Sequence, residues 1–185
     1  MGLQLALDRP QAVHTLSVLE PSILSLSCAK AFVQSAAPVF ELYAAGNHEA
    51  ALSAFMSAVS GLEWQECRAL LDERVPGAIA QSVRDADTFF GVELPALVDW
   101  EFGAQQAAAI RQPVLSVLGQ NTQAMWMEIA GLLRSWLPQL EECNIQGVGH
   151  LLHVERPEPV ARGMADFLGR HPMVVGSKFR PLRAA

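Results

Sequence analysis

The chain has 185 residues, of which 51% are hydrophobic and 17% charged, a composition that excludes intrinsic disorder. Its formal charge is −6, and its 13 Lys and Arg are scattered rather than gathered on one face, so no nucleic acid partner is expected. Three cysteines, Cys28, Cys67 and Cys143, form no Cys-x-x-Cys pair and read as reduced and structural. No window approaches the ~18 apolar residues of a membrane span, and the first residues lack the basic-then-apolar pattern of a signal peptide. The expectation is a cytoplasmic chain with no membrane contact.

Met1 to Pro10 opens inside a helical pattern with no capping residue ahead of it: Leu3, Ala6 and Leu7 share one face, and Pro10 stops it. Either this is a frayed terminal helix, or further polypeptide belongs in front of it. Val13 to Leu19 reads as a strand closed by Glu20-Pro21. From Ser22 to Ile110 no strand is convincing, and turn signals fall at Gly46-Asn47, Gly61, Pro76-Gly77, Gly91 and Pro95. Helices fit Cys28–Ala45 (bent at Pro38), His48–Ser60, Trp64–Arg74 and Gly77–Phe89. Pro113 to Leu118 is a second strand, ended by Gly119. Ala124–Trp136 carries Met127, Ala130, Leu133 and Leu137 at helical spacing. A weaker third strand lies at Glu142–Ile145, and Pro157–Leu168 forms a helix with Val160, Met164, Phe167 and Leu168 on its apolar face.

Strands alternating with helices imply an α/β chain with a parallel sheet. The expected organisation is a core at 1–21, a helical cap or lid at 22–110, a second core part at 111–172, and a tail at 173–185. A stretch of nearly ninety residues between two strands of one sheet does not stay unstructured in a compact protein.

The stretch Gly147-Val148-Gly149-His150-Leu151-Leu152-His153-Val154-Glu155-Arg156-Pro157-Glu158-Pro159-Val160 carries the most chemistry. His150 falls in a glycine-flanked loop just after a strand, on the edge where open parallel sheets bind ligands. In its order of elements the chain resembles the α/β-hydrolase superfamily in its capped form. Three anchors carry the resemblance: Leu5–Pro10 running into Val13–Leu19, then Pro113–Gly119, then Gly147–Val160 with its Gly-x-Gly-His. The resemblance implies that His150 is a general base, that Met1–Pro10 is the helix after a nucleophile elbow, and that the elbow itself lies upstream of Met1.

For the acid that orients His150, the commonest family position is the loop Gly119-Gln120-Asn121-Thr122-Gln123, which contains no carboxylate. Some members, haloalkane dehalogenases among them, place the acid at the end of the strand after the nucleophile helix, which here is Glu20. Glu20 is the leading candidate, with Asn121 or no acid as the alternatives. Phe89, Phe90 and Trp100, in the lid, are candidate substrate-binding residues. Trp64, Trp126 and Trp136 read as packing residues, His153 as a residue at the helix entry, and Asp85 and Asp87 as a helix end with its cap. No metal-ligand set and no phosphate-binding loop is present, so neither metal nor cofactor is expected.

The implied activity is hydrolysis of a small, apolar, ester-like substrate by the complete parent enzyme. The alternative is a truncated or mis-started chain without turnover, at most a ligand-binding module or one that self-associates through an exposed sheet edge.

Overall fold

The structure is a computed structural model that describes residues 1–173. The expected tail therefore lies, apart from Met173, outside the described residues.

Helix α1 (Gly2–Asp8) packs Leu3 and Ala6 inward and is followed by a 3-10 turn at Pro10–Ala12. Strand β1 (Leu16–Leu19) comes next. It is shorter than the expected Val13–Leu19, because the ladder opens only where Leu16 N–H reaches Pro113 O, at 2.9 Å. A helical segment follows: α2 (Lys30–Ser35), α3 (Ala37–Ala44), α4 (His48–Ser60), α5 (Trp64–Arg74), α6 (Ala78–Arg84) and α7 (Ala86–Thr88). A π-helical stretch at Phe89–Glu93 then runs into α8 (Leu94–Asp99), and α9 (Ala104–Ala107) closes the segment.

Two turn signals misled here. Pro95 enters α8 directly after the π-helical stretch that contains Gly91, so neither residue ends the helical run. The expected bend at Pro38 is a full break, with Pro38 in the first turn of α3. Asp85 and Asp87 make no side-chain cap. Asp85 accepts a bond from Gln81, and Asp87 accepts one from the Tyr43 hydroxyl.

Strand β2 (Val114–Gly119), α10 (Ala124–Trp136), β3 (Leu140–Ile145), α11 (Leu152–Glu155) and α12 (Pro157–Arg170) complete the described chain. The sheet order is β1-β2-β3 and both pairings are parallel, with Leu16 opposite Val114 and Val114 opposite Leu140. Alternation along β2 divides the core. Val114 faces a cluster with Leu3, Leu16, Val18, Trp126, Ile129 and Leu133, continuous with the helical segment. Leu115 and Val117 face Ile145, Leu152, Val160 and Phe167 instead. Each such fully buried side chain contributes about 1.5–3 kcal/mol of transfer free energy.

Each of two expected apolar faces has one residue that points outward. On α10 the buried stripe is Met125, Trp126, Ile129, Ala130 and Leu133, while Met127 is exposed. On α12, Val160, Met164 and Phe167 face the sheet and Leu168 points outward, one helical step beyond the contact line.

The β3 edge carries charged partners: Glu142 pairs with Arg134, and Glu141 with Arg170 and His171. The His171 hydrogen bond, and after it those of Arg170, hold the Glu141 carboxyl below the ordinary carboxylate value. A lowered folded-state value means stabilisation that is complete above the unfolded value and is lost as pH falls through the folded one. Glu141→Gln should therefore cost under about 1 kcal/mol near pH 6, since the pair is solvent-screened. Melting curves of the two proteins should converge on acidification below about pH 4.

Candidate active site

Three loops converge at the carboxyl ends of the strands. The first leaves β1 at Glu20, whose N–H still donates to Val117 O at 3.2 Å and so extends the ladder by one residue. Glu20 then turns with φ of 43°, the single positive φ at a non-glycine among the described residues. A left-handed conformation costs an L-residue with a Cβ roughly 1–2 kcal/mol, so surrounding contacts must hold it there. They do. Glu20 is fully buried on its side chain, and three donors converge on its carboxylate. Gly119 N–H donates to Oε1 at 2.7 Å, the Thr122 hydroxyl donates to Oε2 at 2.7 Å, and His150 Nδ1 lies 2.8 Å from Oε2.

The second loop, 119–123, follows β2, and the third, 146–151, follows β3. They are laced together: Gln120 N–H donates to Ile145 O at 2.9 Å and Asn121 N–H to Val148 O at 2.8 Å. Gly147, with φ of 74°, makes the tight turn that the sequence signalled. Glu155 reaches back to accept from Gly149 N–H at 3.1 Å, fixing the backbone just before His150. The helical segment joins the same assembly: the Gln123 amide donates to Ala58 O at 2.7 Å and Val59 O at 3.0 Å, at the end of α4. Its side chain thereby satisfies carbonyls that a helix C-terminus leaves without partners.

A carboxylate only accepts, so the His150 tautomer that fits carries its proton on Nδ1 and leaves Nε2 as the basic nitrogen. His150 is 20% exposed on its side chain, against 0% for Glu20, so the base reaches solvent while its partner does not. Nε2 makes no hydrogen bond among the described residues. The arrangement can therefore hold an imidazole in one tautomer, accept a proton at Nε2, and stabilise the resulting imidazolium through the buried carboxylate.

Of the expected residues, His150 and Glu20 are brought together, whereas Asn121 is exposed and contacts this loop pair through its backbone. Phe89 and Phe90 pack edge-to-face on each other and on Phe55, lining a groove of about 480 Å³ with Leu52 and Met56. Neither His150 nor Glu20 lines that groove. Met56 nonetheless belongs also to the cluster of Leu151 and Val154, directly after His150. Trp100 lies elsewhere, with its indole N–H donating to Gln4 Oε1 at 2.8 Å and its ring against Phe102. Among the described residues no group of three or more His, Cys, Asp or Glu is placed to hold a metal ion, and no helix is long and apolar enough to cross a membrane.

Two contributors were missed. Thr122 stands in the loop whose lack of a carboxylate was noted, and its hydroxyl serves the carboxylate arriving from β1. Trp126, read only as packing, lies stacked on the His150 ring with centroids 3.9 Å apart.

No family model matches the chain, and no curated protein matches it. Solved structures do. An α/β-hydrolase enzyme from a Medee basin deep-sea metagenome library superimposes with a TM-score of 0.71 at 14% identity, over 94% of this chain and 62% of that one. The enol-lactonase from Burkholderia xenovorans LB400 gives 0.67 at 16% identity, over 91% and 61%. The carboxylesterase CesB from Bacillus subtilis gives 0.56 at 18% identity, over 90% and 55%. At these identities the likeness is one of fold, and the chain spans less than two thirds of each of these structures. The three parallel strands and their flanking helices form a partial α/β-hydrolase fold.

Proposed function

We propose that this chain supplies the general base and its orienting carboxylate to a hydrolase acting on a small, apolar, ester-like substrate. The observation that carries the reading is the 2.8 Å contact between His150 Nδ1 and a Glu20 carboxylate from which water is excluded. His150 Nε2 would take the proton of a nucleophile or of the hydrolytic water and return it to the leaving group. Glu20 would hold the tautomer and stabilise the imidazolium. No Gly-x-Ser-x-Gly, Gly-x-Asp-x-Gly or Gly-x-Cys-x-Gly occurs in the 185 residues, so this reading takes the nucleophile to be supplied by other polypeptide. All the groups so invoked are protein side chains. The helical segment acts as the lid in this reading.

The test joins this chain to a segment carrying a nucleophile elbow and follows hydrolysis of p-nitrophenyl butyrate. His150→Ala is expected to lower turnover by about 10³-fold or more. Turnover that survives the substitution would remove His150 from the mechanism.

A second reading is an association module without turnover, favoured by one feature: among the described residues β1 pairs on one side only, with β2. Sedimentation velocity of the chain alone separates the readings, since edge pairing produces concentration-dependent oligomers and a monomer at all concentrations counts against it.

A further inference from the structure

We propose that Trp126 is a positioning residue for His150, its indole fixing the plane in which the imidazole presents Nε2; the inference rests on the general-base reading of His150. A single hydrogen bond from Nδ1 to Glu20 is a pivot. It places one ring atom and leaves the ring free to rock about the bond. The stacked indole removes that freedom, because the two rings lie 23° from parallel with centroids 3.9 Å apart. The indole is itself buried and held by two contacts. It is 1% exposed, its N–H donates to Ser22 Oγ at 3.3 Å, and the edge of Phe32 meets it at 5.6 Å.

Trp126 stands in the first turn of α10, four residues after Thr122, and Ser22 lies two residues after Glu20. The segments that bring the three donors to Glu20 thus also place the surface against which the imidazole rests. An aromatic face attracts a cation lying over it, so the contact persists when His150 acquires its proton. The charged and titratable groups near the ring are Glu20, His153 from α11 and Glu155, whose carboxylate is occupied by the Gly149 N–H.

The test uses the chain as it stands. In NMR spectra the His150 Nδ1 proton should be visible at low field and protected from solvent. Trp126→Leu, which keeps an apolar side chain but no flat surface, is expected to lose that signal to exchange, and Trp126→Phe to restore it. A folded Trp126→Leu protein that retains the signal overturns the proposal.

A second measurement leaves Trp126 in place and so does not depend on how well its variants fold. Protons over the face of an indole are shifted upfield by its ring current, so the His150 ring C–H resonances, assigned by their loss in His150→Gln, should lie upfield of those of a free histidine. His150 resonances at their ordinary positions also overturn the proposal. Both readouts report ring geometry rather than turnover. Failure here leaves the general-base reading standing, and failure of the His150→Ala activity test leaves these signals intact.

Discussion

Replacing Glu20 with Ala is expected to destabilise the chain by about 3–5 kcal/mol, the range seen when one partner of a buried, hydrogen-bonded charge cluster is removed. The size follows from what is left behind: Gly119 N–H, the Thr122 hydroxyl and His150 Nδ1 all lose their acceptor at once. Relief of the left-handed backbone at Glu20 offsets none of this, since Ala is no freer there than Glu. Thr122→Val removes one donor of nearly the same shape and should cost only about 1–2 kcal/mol, which equilibrium urea unfolding resolves. Glu20→Gln separates folding from chemistry. Its amide oxygen can still accept from Gly119 or Thr122, but its NH₂ would face the Nδ1 proton, forcing the imidazole into the wrong tautomer. In an enzyme completed with a nucleophile, turnover should fall by about 10⁴-fold while the fold survives. If Glu20→Gln left the rate intact and Asn121→Ala did not, the acid would be assigned to the wrong loop.

The parts of this arrangement that could be read from the sequence are those that local chemistry specifies. β2 was legible because Val114 to Leu118 is apolar, branched and closed by glycine. His150 stood out because glycines mark the loop after a strand, whereas Glu20, closing β1, was singled out by the family resemblance and not by periodicity. Trp126 was missed for a definite reason. Ala130, Leu133 and Leu137 do line the inner face of α10, and Trp126 stands one turn before Ala130 on that face, but taking Met127 as its first member left the indole out of it. The true stripe is set by contacts with residues far away in sequence, Ser22 and Phe32 among them. The same holds for the stretch from Gly77 to Asp99, where Gly91 and Pro95 look like breaks. The packing of Phe90 and Leu94 into the shared core carries the chain on through a π-helical stretch. A local breaker yields when enough buried area lies on the far side of it.

Gly119→Ala should be the most damaging added methyl among the described glycines. A Cβ there would lie 2.5 Å from Gly149 O and 2.6 Å from Val148 O, with Glu20 Oε1 at 3.2 Å. Backbone carbonyls of a laced loop cannot swing aside as a side-chain tip can. The expected cost is about 2–4 kcal/mol, with the 146–151 loop pushed away from β2. Because that loop carries His150, the displacement should also separate the imidazole from Glu20, which the low-field Nδ1 proton would register as a loss. Gly131→Ala, where a Cβ meets nothing within 4 Å, is the matched control and should be neutral or slightly stabilising within α10.

The neighbours β1 and β2 stand side by side in the sheet, yet Leu16 meets Val114 only after the whole helical segment has intervened. For a folding chain this is a matter of timing. Closing so long a loop before its helices form would forfeit entropy with little return, whereas α2 to α9 can condense early through contacts close in sequence and shorten the distance to be closed. The crossover unit β2–α10–β3–α12 is likewise local. Glu20 and His150, 130 residues apart, meet only when β1, at the head of the helical segment, docks on that crossover unit. Their pairing is accordingly a late event in folding and an early loss on partial opening, so the low-field His150 proton should vanish at lower denaturant than the helical signal does.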